Sequence, residues 1–161
     1  MIILALGTNI EPREQYLKDA LRKLEENNIK IILKSSVYET PAWGGVADKN
    51  FFNMCIEVES TLDAYTLLDT IQKIELELGR VRKEHWGNRT IDIDIITFND
   101  SVFNDERLIV PHKYIHERNF VLAPLVEMYG EIEISGMNIK ESLEKINEPI
   151  KILKVNYKMK G

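Results

Sequence analysis

The sequence predicts an α+β domain in which strands with one apolar face are interleaved with two amphipathic helices. Three observations support this class. An apolar run opens the chain, two later segments alternate apolar and polar residues as half-buried strands do, and two others repeat apolar residues every three or four positions. Along the first hundred residues the predicted order is strand, helix, strand, strand, helix, strand.

The first two elements are a buried strand and an amphipathic helix. Residues 1 to 6 are apolar and rich in β-branched side chains, and Gly7-Thr8-Asn9 follows them as a turn signal. Pro12 suits the first turn of a helix, which we expect to end at Asn27-Asn28. The apolar stripe of that helix consists of Tyr16, Leu17, Ala20, Leu21 and Leu24.

The next segment predicts two strands joined by a long loop. Residues 30 to 40 are expected to form one continuous strand with Ile31, Leu33 and Val37 on one side. Residues 41 to 50 contain a proline and two adjacent glycines, which indicates a loop of about ten residues. In residues 51 to 60 the apolar face carries Phe52, Met54, Ile56 and Val58, and the face expected to be wet carries Phe51, Asn53, Cys55, Glu57 and Glu59.

A second helix and a fourth strand complete the pattern. Thr61 or Asp63 can cap the helix, and Gly79 is expected to end it. Its apolar stripe consists of Leu67, Leu68, Ile71, Ile74 and Leu78. After a second long connection, residues 90 to 98 form a strand in which Ile91, Ile93 and Ile95 alternate with Asp92 and Asp94.

This order of elements is that of a ferredoxin-like βαββαβ antiparallel sheet, with both helices on one face and the other face free for a site. Residues 101 to 161 are expected to be a C-terminal extension of one domain whose core spans about 1 to 100. The extension predicts a turn with an extended segment at 104 to 112, short helices at 120 to 129 and 139 to 146, and a strand at 150 to 155.

Composition narrows the class of protein. The 161 residues carry a net charge of −5, which disfavours non-specific binding to nucleic acid or to anionic membranes. The single cysteine, Cys55, excludes an internal disulfide, and no apolar run is long enough to span a bilayer. We therefore expect a cytoplasmic monomer that relies on packing for its stability.

The connection from Gly79 to Arg89 is strongly basic although the whole chain is acidic. It contains Arg80, Arg82, Lys83 and Arg89 within eleven residues. Guanidinium groups bind phosphate oxygens in pairs, so a phosphate chain is one ligand for this segment, and a solvated charge run is an equally good interpretation of the segment alone. The chain contains no G-x-x-x-x-G-K-[ST] motif, so a nucleotide would be held by side chains and metal.

Asp92 and Asp94 are two apart on one predicted strand and therefore project from the same face. Neighbouring carboxylates suit Mg²⁺, which usually takes one or two protein carboxylates and completes its coordination with phosphate and water. The alternative is an exposed sheet face, or acids that discourage pairing at an edge. The basic segment that precedes them favours the metal site.

Several segments together resemble the 6-hydroxymethyl-7,8-dihydropterin pyrophosphokinase family of folate biosynthesis. They are Arg-x-Arg-Lys from Arg80, Trp-Gly-x-Arg-Thr-Ile-Asp-Ile-Asp-Ile from Trp86, and Leu-Ile-Val-Pro-His ending at His112. The likeness also includes Leu6-Gly7-Thr8-Asn9, Tyr38-Glu39-Thr40-Pro41, Phe51-Phe52-Asn53 and the stretch from His116 to Leu125. It covers about residues 1 to 130, and the portion from Trp86 to Asp94 is the most specific.

The resemblance implies roles for individual residues. Asp92 and Asp94 would coordinate two Mg²⁺ ions that bridge the phosphates of ATP, and Asp92 would also border the pterin. The phosphates would be contacted by Arg82, Arg89, His112 and Arg118, with Arg82 and Arg89 among the catalytic residues. Lys83 and Trp86 would also bind ATP, and Arg80 lies in the same segment. The nucleotide pocket would be lined by Gln72, Glu75, Ile95, Arg107 and Ile109. The pterin pocket would be lined by Thr40, Pro41, Trp43, Phe51, Asn53 and Phe120.

The implied reaction is Mg²⁺-dependent transfer of pyrophosphate from ATP to the hydroxymethyl pterin, with AMP as the second product. The strand pattern adds that Phe51 and Asn53 can share an open face with Asp92 and Asp94, and we expect segments 41 to 50 and 79 to 89 to close over that face. Phe51, Asn88 and Lys113 depart from residues frequent in the family. Two rival classes are an RNA-binding module, which the acidic charge disfavours, and a regulatory module without catalysis.

Overall fold

The computed structural model of the protein describes residues 1–41, 50–79 and 90–153. In those ranges the elements are β1 (Ile2–Thr8), α1 (Arg13–Glu26), β2 (Lys30–Lys34), β3 (Tyr38–Thr40), β4 (Phe51–Glu59), α2 (Ala64–Glu77), β5 (Asp92–Phe98), β6 (Phe103–Asn104), β7 (Ile109–Val110), α3 (Asn119–Tyr129), β8 (Glu133–Ile134), β9 (Met137–Asn138), α4 (Ile139–Glu144) and β10 (Lys151–Ile152). The predicted mixture of helices with an antiparallel sheet is confirmed.

The main sheet has six strands, and β1 lies at its centre. Its order is β10-β3-β4-β1-β5, and β2 pairs with the part of β4 that β3 leaves unpaired. All of these pairs are antiparallel, and the register joins Leu4 to Ile56 on one side and to Ile95 on the other. Six of the seven residues of β1 are buried, as expected for a strand covered on both faces.

Helices α1 and α2 cover one face of this sheet. Leu17 and Leu24 of α1 and Ile71 and Ile74 of α2 are fully buried against alternate residues of β1, β4 and β5. Asp63 caps α2 by accepting a hydrogen bond of 2.8 Å from the backbone N of Thr66, as the sequence predicted. Gly79 follows the helix with φ +87°, a conformation that favours glycine.

The opposite face is half covered, which corrects the prediction that it is free. Helices α3 and α4 pack on Ile3, Cys55 and Ile96 through a second core that includes Leu122 and Ile139. Cys55 is therefore fully buried rather than wet. The alternation of residues along a strand shows which side chains share a face. It does not show whether helices from a distant part of the chain cover that face. Within the described ranges, Phe51, Asp92 and Asp94 stay partly exposed on this face and leave that end of it for a site.

The continuous strand predicted for residues 30 to 40 is wrong, because it is divided into β2 and β3. A register irregularity lies between Ile31 and Leu33, and Leu33 is exposed. At the break, the backbone N of Ser35 donates to the Cys55 carbonyl, and the Ser35 hydroxyl accepts from the Cys55 N at 3.0 Å. The Ser35 hydroxyl thus takes the place of a backbone acceptor between the paired strands. The periodicity of apolar residues gives no sign of this replacement.

Side chains of α3 stabilise the break and fix α3 to the sheet. The Glu127 carboxylate accepts hydrogen bonds from the Ser36 N at 2.8 Å, from the Ser36 hydroxyl at 2.6 Å and from the Tyr38 hydroxyl at 3.0 Å. Near the end of the helix, the Tyr129 hydroxyl donates to Glu57 at 2.6 Å. Burial together with the Glu57 carboxylate raises the pKa of Tyr129, so this phenol stays a donor at neutral pH.

The predicted elements beyond residue 100 are confirmed in outline. α3 and α4 match the two expected helices, and β10 pairs with β3 at the edge of the sheet. His116 bridges the Ser142 hydroxyl and the Ile134 carbonyl, each at 2.6 Å. Across the described ranges, none of the helices has the length and apolar character needed to cross a membrane.

Candidate active site

The candidate site is built on the central strand at Gly7. The register places Asn53 of β4 opposite Gly7 on one side and Asp92 of β5 opposite it on the other. Two residues earlier in β1, Ala5 lies in the same way between Cys55 of β4 and Asp94 of β5. The prediction that the two aspartates share a sheet face with Asn53 is therefore confirmed.

Space at position 7 is tight because Asn53 lies across it. A Cβ atom at Gly7 would be 3.0 Å from Asn53 Oδ1, which is closer than side chains normally pack. Asn53 is 6% exposed, and its Nδ2 donates a hydrogen bond of 3.0 Å to the Thr40 hydroxyl. The Asn53 amide oxygen thus lies over the central strand at Gly7, and the amide nitrogen is held by Thr40 on β3.

Asp92 and Asp94 are both partly buried on β5. Their Cα atoms are about 6 to 7 Å apart, the distance between alternate residues of a strand. Among the described residues, no group of three or more His, Cys, Asp and Glu residues could hold a metal ion. Two carboxylates nevertheless fit Mg²⁺, since that ion commonly takes its remaining ligands from water and from substrate phosphate.

The other expected pterin residues that the structure describes lie on β3, β4 and α3 or directly after β3. Thr40 pairs with Phe51 across β3 and β4, and Phe51 is partly exposed. Phe120 lies in the first turn of α3, with the Arg118 guanidinium carbon 5.6 Å from its ring centre. Pro41 directly follows Thr40 and is exposed. Phe51 and Phe120 are thus partly exposed, whereas Asn53, predicted to be wet, is nearly buried and is anchored to Thr40.

His112 lies within electrostatic reach of Arg118 and Asp92, and Arg118 supplies the fixed positive charge. The His112 N donates to the Ile96 carbonyl of β5 at 2.9 Å, which fixes this segment at the edge of the sheet. The Tyr114 N donates to His112 Nδ1 at 3.2 Å, so the neutral ring carries its proton on Nε2. Burial is the larger cause and the Arg118 charge the second cause that together lower the pKa of His112 to about 4, although the Asp92 carboxylate partly opposes them.

This pKa makes stability depend on pH in a defined direction. The pKa of His112 is about 6.5 in the unfolded chain and about 4 in the folded chain. Between these two pH values the unfolded chain binds a proton that the folded chain does not, so stability falls as the pH falls through that window. Between pH 6.5 and 5 we expect the wild type to lose about 1.5 kcal/mol more unfolding free energy than His112→Gln. Urea titrations at both values measure it, and parallel losses in the two proteins would contradict the assignment.

Glu75, expected to line the nucleotide pocket, is buried between α2 and the sheet. It is 2% exposed, and its Oε2 accepts a hydrogen bond of 2.9 Å from the Ile93 N, between the two aspartates. The signal was present in the sequence, because Glu75 lies four residues after Ile71 and three before Leu78, on the apolar stripe of α2. Its carboxylate satisfies a backbone donor of β5.

The other expected nucleotide residues lie on α2, β5 and the β6–β7 hairpin. Arg107 pairs with Asp69 at 2.5 Å, one helical turn before Gln72, and its guanidinium carbon is 5.5 Å from the ring centre of Tyr65. Ile109 is exposed, whereas Ile95 is 5% exposed and belongs to the core between the sheet and the helices. Ile95 therefore offers little surface to a ligand.

The remaining predicted site residues lie outside the described ranges. They are Trp43, Arg80, Arg82, Lys83, Trp86 and Arg89. The hypothesis that the segments around them close over the site also lies outside those ranges. Arg13 is a residue that the sequence interpretation missed: its guanidinium bonds to the carbonyl of Asn50, directly before Phe51. In the sequence Arg13 is marked only by its position after Pro12, which does not predict a contact with Asn50.

Comparison with known proteins gives one consistent family. Residues 3–130 match the family model described as 7,8-dihydro-6-hydroxymethylpterin-pyrophosphokinase. The chain is 44% identical over 144 residues to the 2-amino-4-hydroxy-6-hydroxymethyldihydropteridine pyrophosphokinase of Bacillus subtilis, covering 89% of this chain and 86% of that one. It is 37% identical over 145 residues to the protein of the same name from Methylorubrum extorquens, covering 89% and 92%.

Larger proteins contain a similar region. The bifunctional protein FolKE of Lactococcus lactis subsp. cremoris is 42% identical over 146 residues, which span 90% of this chain and 42% of the relative. A solved HPPK-DHPS structure of Plasmodium falciparum superposes with a TM-score of 0.69 at 18% identity over 89% of this chain. This chain spans 44% of that structure's length, and the likeness there shows the fold.

Proposed function

Since the chain belongs to the 7,8-dihydro-6-hydroxymethylpterin-pyrophosphokinase family, and is therefore a pyrophosphokinase of folate biosynthesis, we propose that it moves the terminal pyrophosphoryl group of ATP to 6-hydroxymethyl-7,8-dihydropterin. The observation that carries the proposal is the row Asn53, Gly7 and Asp92. A group that can read the edge of a pterin and a group that can hold a phosphate-bound metal lie on either side of one glycine.

In the proposed reaction the hydroxymethyl oxygen attacks the β-phosphorus of ATP. A bond forms between that oxygen and the β-phosphorus, and the bond from the β-phosphorus to the oxygen shared with the α-phosphorus breaks. AMP leaves with the shared oxygen, and the hydroxyl proton passes to solvent. No described side chain is needed as a dedicated base, because such transfers depend mainly on positioning and on neutralising charge.

Asp92 and Asp94 would hold Mg²⁺ in this proposal, and two ions are expected with ATP. When bound, the metal would neutralise phosphate charge and lower the pKa of the attacking hydroxyl. The two carboxylates come from alternate positions of one strand, and Glu75 holds the backbone N–H between them. The strand therefore fixes the spacing of the carboxylates before any ligand binds.

His112 and Arg118 would contact phosphate oxygens beside the aspartates. His112 is neutral at pH 7 because of its low pKa, and with Nδ1 engaged by Tyr114 it offers its Nε2 proton to an acceptor. Arg118 supplies a fixed charge whose guanidinium is flanked by Tyr114 and Phe120. Arg82, Lys83, Trp86 and Arg89 are proposed to contribute further contacts, with Gln72, Arg107 and Ile109 toward the base of the nucleotide.

The pterin would lie on the open end of the sheet face. Phe51 and Phe120 can contact its two flat sides, an arrangement worth about 0.5 to 1.5 kcal/mol beyond burial. Asn53 combines an acceptor with a two-proton donor, and its donor is already shared with Thr40. With the amide oriented in this way, its oxygen can accept from the amino group of the pterin.

We also propose the finer assignment of the fold. The strands of the first hundred residues lie in the order β2 with β3, then β4, β1 and β5, with α1 and α2 on one face, which is the arrangement of a ferredoxin-like core. Residues 101–161 would form an extension of the same single domain, because α3 and α4 share a core with Ile3 and Cys55 of the sheet.

The proposal is tested by identifying the nucleotide product. Incubation with ATP, Mg²⁺ and 6-hydroxymethyl-7,8-dihydropterin should yield AMP in equal amount to pterin pyrophosphate, as separated by anion-exchange chromatography. A reaction without pterin is the control for contaminating hydrolysis and should yield neither. Formation of ADP would mean attack at the γ-phosphorus and would refute the proposal.

A further inference from the structure

We propose that Arg13 is a positioning residue for the pterin-binding face, an inference that rests on the proposed function. Arg13 is the first residue of α1, on the helix side of the sheet. It lies beneath the pair of strands, β3 and β4, whose other face carries Thr40, Phe51 and Asn53.

The position of Arg13 is electrostatically unfavourable by itself. The N-terminal end of a helix carries partial positive charge, so an acidic side chain would suit it better than an arginine. The Arg13 side chain is 18% exposed and is paired with Glu11 just before the helix. A cation that is largely removed from water at this end of a helix must be stabilised by its contacts.

These contacts reach both strands of the pair. Arg13 NH1 donates a hydrogen bond of 2.9 Å to the carbonyl of Asn50, and the same nitrogen is 3.6 Å from Glu39 Oε2 on β3. The guanidinium carbon lies 4.0 Å from the ring centre of Phe52, within the range of a cation–π contact. Glu39 and Phe52 are register partners, so one side chain holds β3 and β4 together at this point.

Residues next to these contacts carry the predicted pterin groups. Phe51 lies between Asn50 and Phe52, and Thr40 directly follows Glu39. Because successive side chains of a strand point to opposite faces, a shift of Asn50 or Phe52 on the helix side moves Phe51 on the open side. The hydrogen bond from Asn53 to Thr40 also spans β3 and β4, so it depends on the same separation between the strands.

The inference predicts a loss that is specific to one substrate. Arg13→Ala should weaken binding of 6-hydroxymethylpterin about tenfold, since a charge-assisted hydrogen bond and a cation–π contact are lost together. Arg13→Lys keeps a cation over Phe52 and one donor for Asn50, and should weaken it about threefold. Binding of α,β-methylene-ATP with Mg²⁺ should stay within about twofold in both variants, because the Arg13 contacts described above lie on β3, on β4 and directly before β4 and α1, away from the aspartates of β5.

Two calorimetric titrations test this, one with 6-hydroxymethylpterin in the presence of Mg²⁺ and α,β-methylene-ATP, and one with the nucleotide alone. Arg22→Ala is the matched control, since Arg22 lies on the same helix, is itself exposed and, among the described residues, forms ion pairs with Asp19 and Glu26 of that helix. It should leave both affinities unchanged.

Equal pterin affinity in wild type and Arg13→Ala would overturn the inference, and so would equal losses for both ligands, which would indicate a general structural role. If Arg13→Ala does not fold, Arg13→Lys decides by the same criterion. A wild type that makes AMP and pterin pyrophosphate but shows no effect of Arg13 leaves the proposed function standing. A wild type that binds no pterin refutes both.

Discussion

Asp92→Asn and Asp94→Asn are each expected to lower kcat by at least about 100-fold, with a folded protein and little change in the free energy of unfolding. The substitution keeps the shape of the side chain and removes the charge that would hold Mg²⁺ against the phosphates. Both residues are partly exposed on a sheet face, so their replacement creates no cavity in either core. The measurement is the initial rate of AMP formation over a range of Mg²⁺ concentrations.

Asp100→Asn is the matched control for this pair. Asp100 follows the end of β5 and is exposed, so it should keep wild-type turnover and the wild-type response to Mg²⁺. Near-full activity in either Asp92→Asn or Asp94→Asn would remove that carboxylate from the proposed mechanism.

Asn53→Leu is expected to reduce kcat/KM for the pterin by about 100-fold while the KM for ATP stays within about twofold. Leucine has a similar volume but can neither accept from the pterin nor donate to Thr40, whose hydroxyl loses its 3.0 Å partner. The polar atoms of a bound pterin would then be buried without a hydrogen bond. Steady-state kinetics with each substrate varied in turn measures the separation.

The control for the amide is Asn104→Leu on the exposed strand β6, which should leave both kinetic constants unchanged. An equal rise in the KM values of both substrates in Asn53→Leu would show that Asn53 supports the whole site rather than the pterin. An unchanged kcat/KM would remove it from substrate recognition.

Local patterns were sufficient to predict most elements of the fold. Apolar alternation located β4 and β5, a three-to-four spacing located α1 and α2, and Asp63 and Gly79 marked the ends of α2 where the structure has them. These signals are local because caps, turns and periodicity depend on neighbouring residues. The resemblance then linked the aspartates to a metal-bound nucleotide.

Long-range contacts account for what the sequence could not predict. The break between β2 and β3 depends on a serine hydroxyl that binds β4 and on Glu127, 91 residues away from Ser36. The burial of Cys55 depends on α3, which no pattern within β4 reveals. In both places a side chain far along the chain determines the local structure, so a window of neighbouring residues carries no information about it.

The site shows the same division. The alternation along β5 correctly predicted that Asp92 and Asp94 share one face of the sheet. The alternation along β4 likewise placed Phe51 and Asn53 together, on the face that is proposed to bind the pterin. The structure added the restraints behind that face. Glu75 holds the backbone between the aspartates, Thr40 holds the Asn53 amide, and Arg13 holds the strands that carry Phe51.

A crystal structure of the complex with Mg²⁺, α,β-methylene-ATP and 6-hydroxymethylpterin tests the central claim most directly. The account predicts metal ions about 2.0 to 2.1 Å from carboxylate oxygens of Asp92 and Asp94. It also predicts the pterin against the Asn53 amide, with its hydroxymethyl oxygen facing the β-phosphorus. Metal bound away from both aspartates, or a pterin without contact to Asn53, would contradict it.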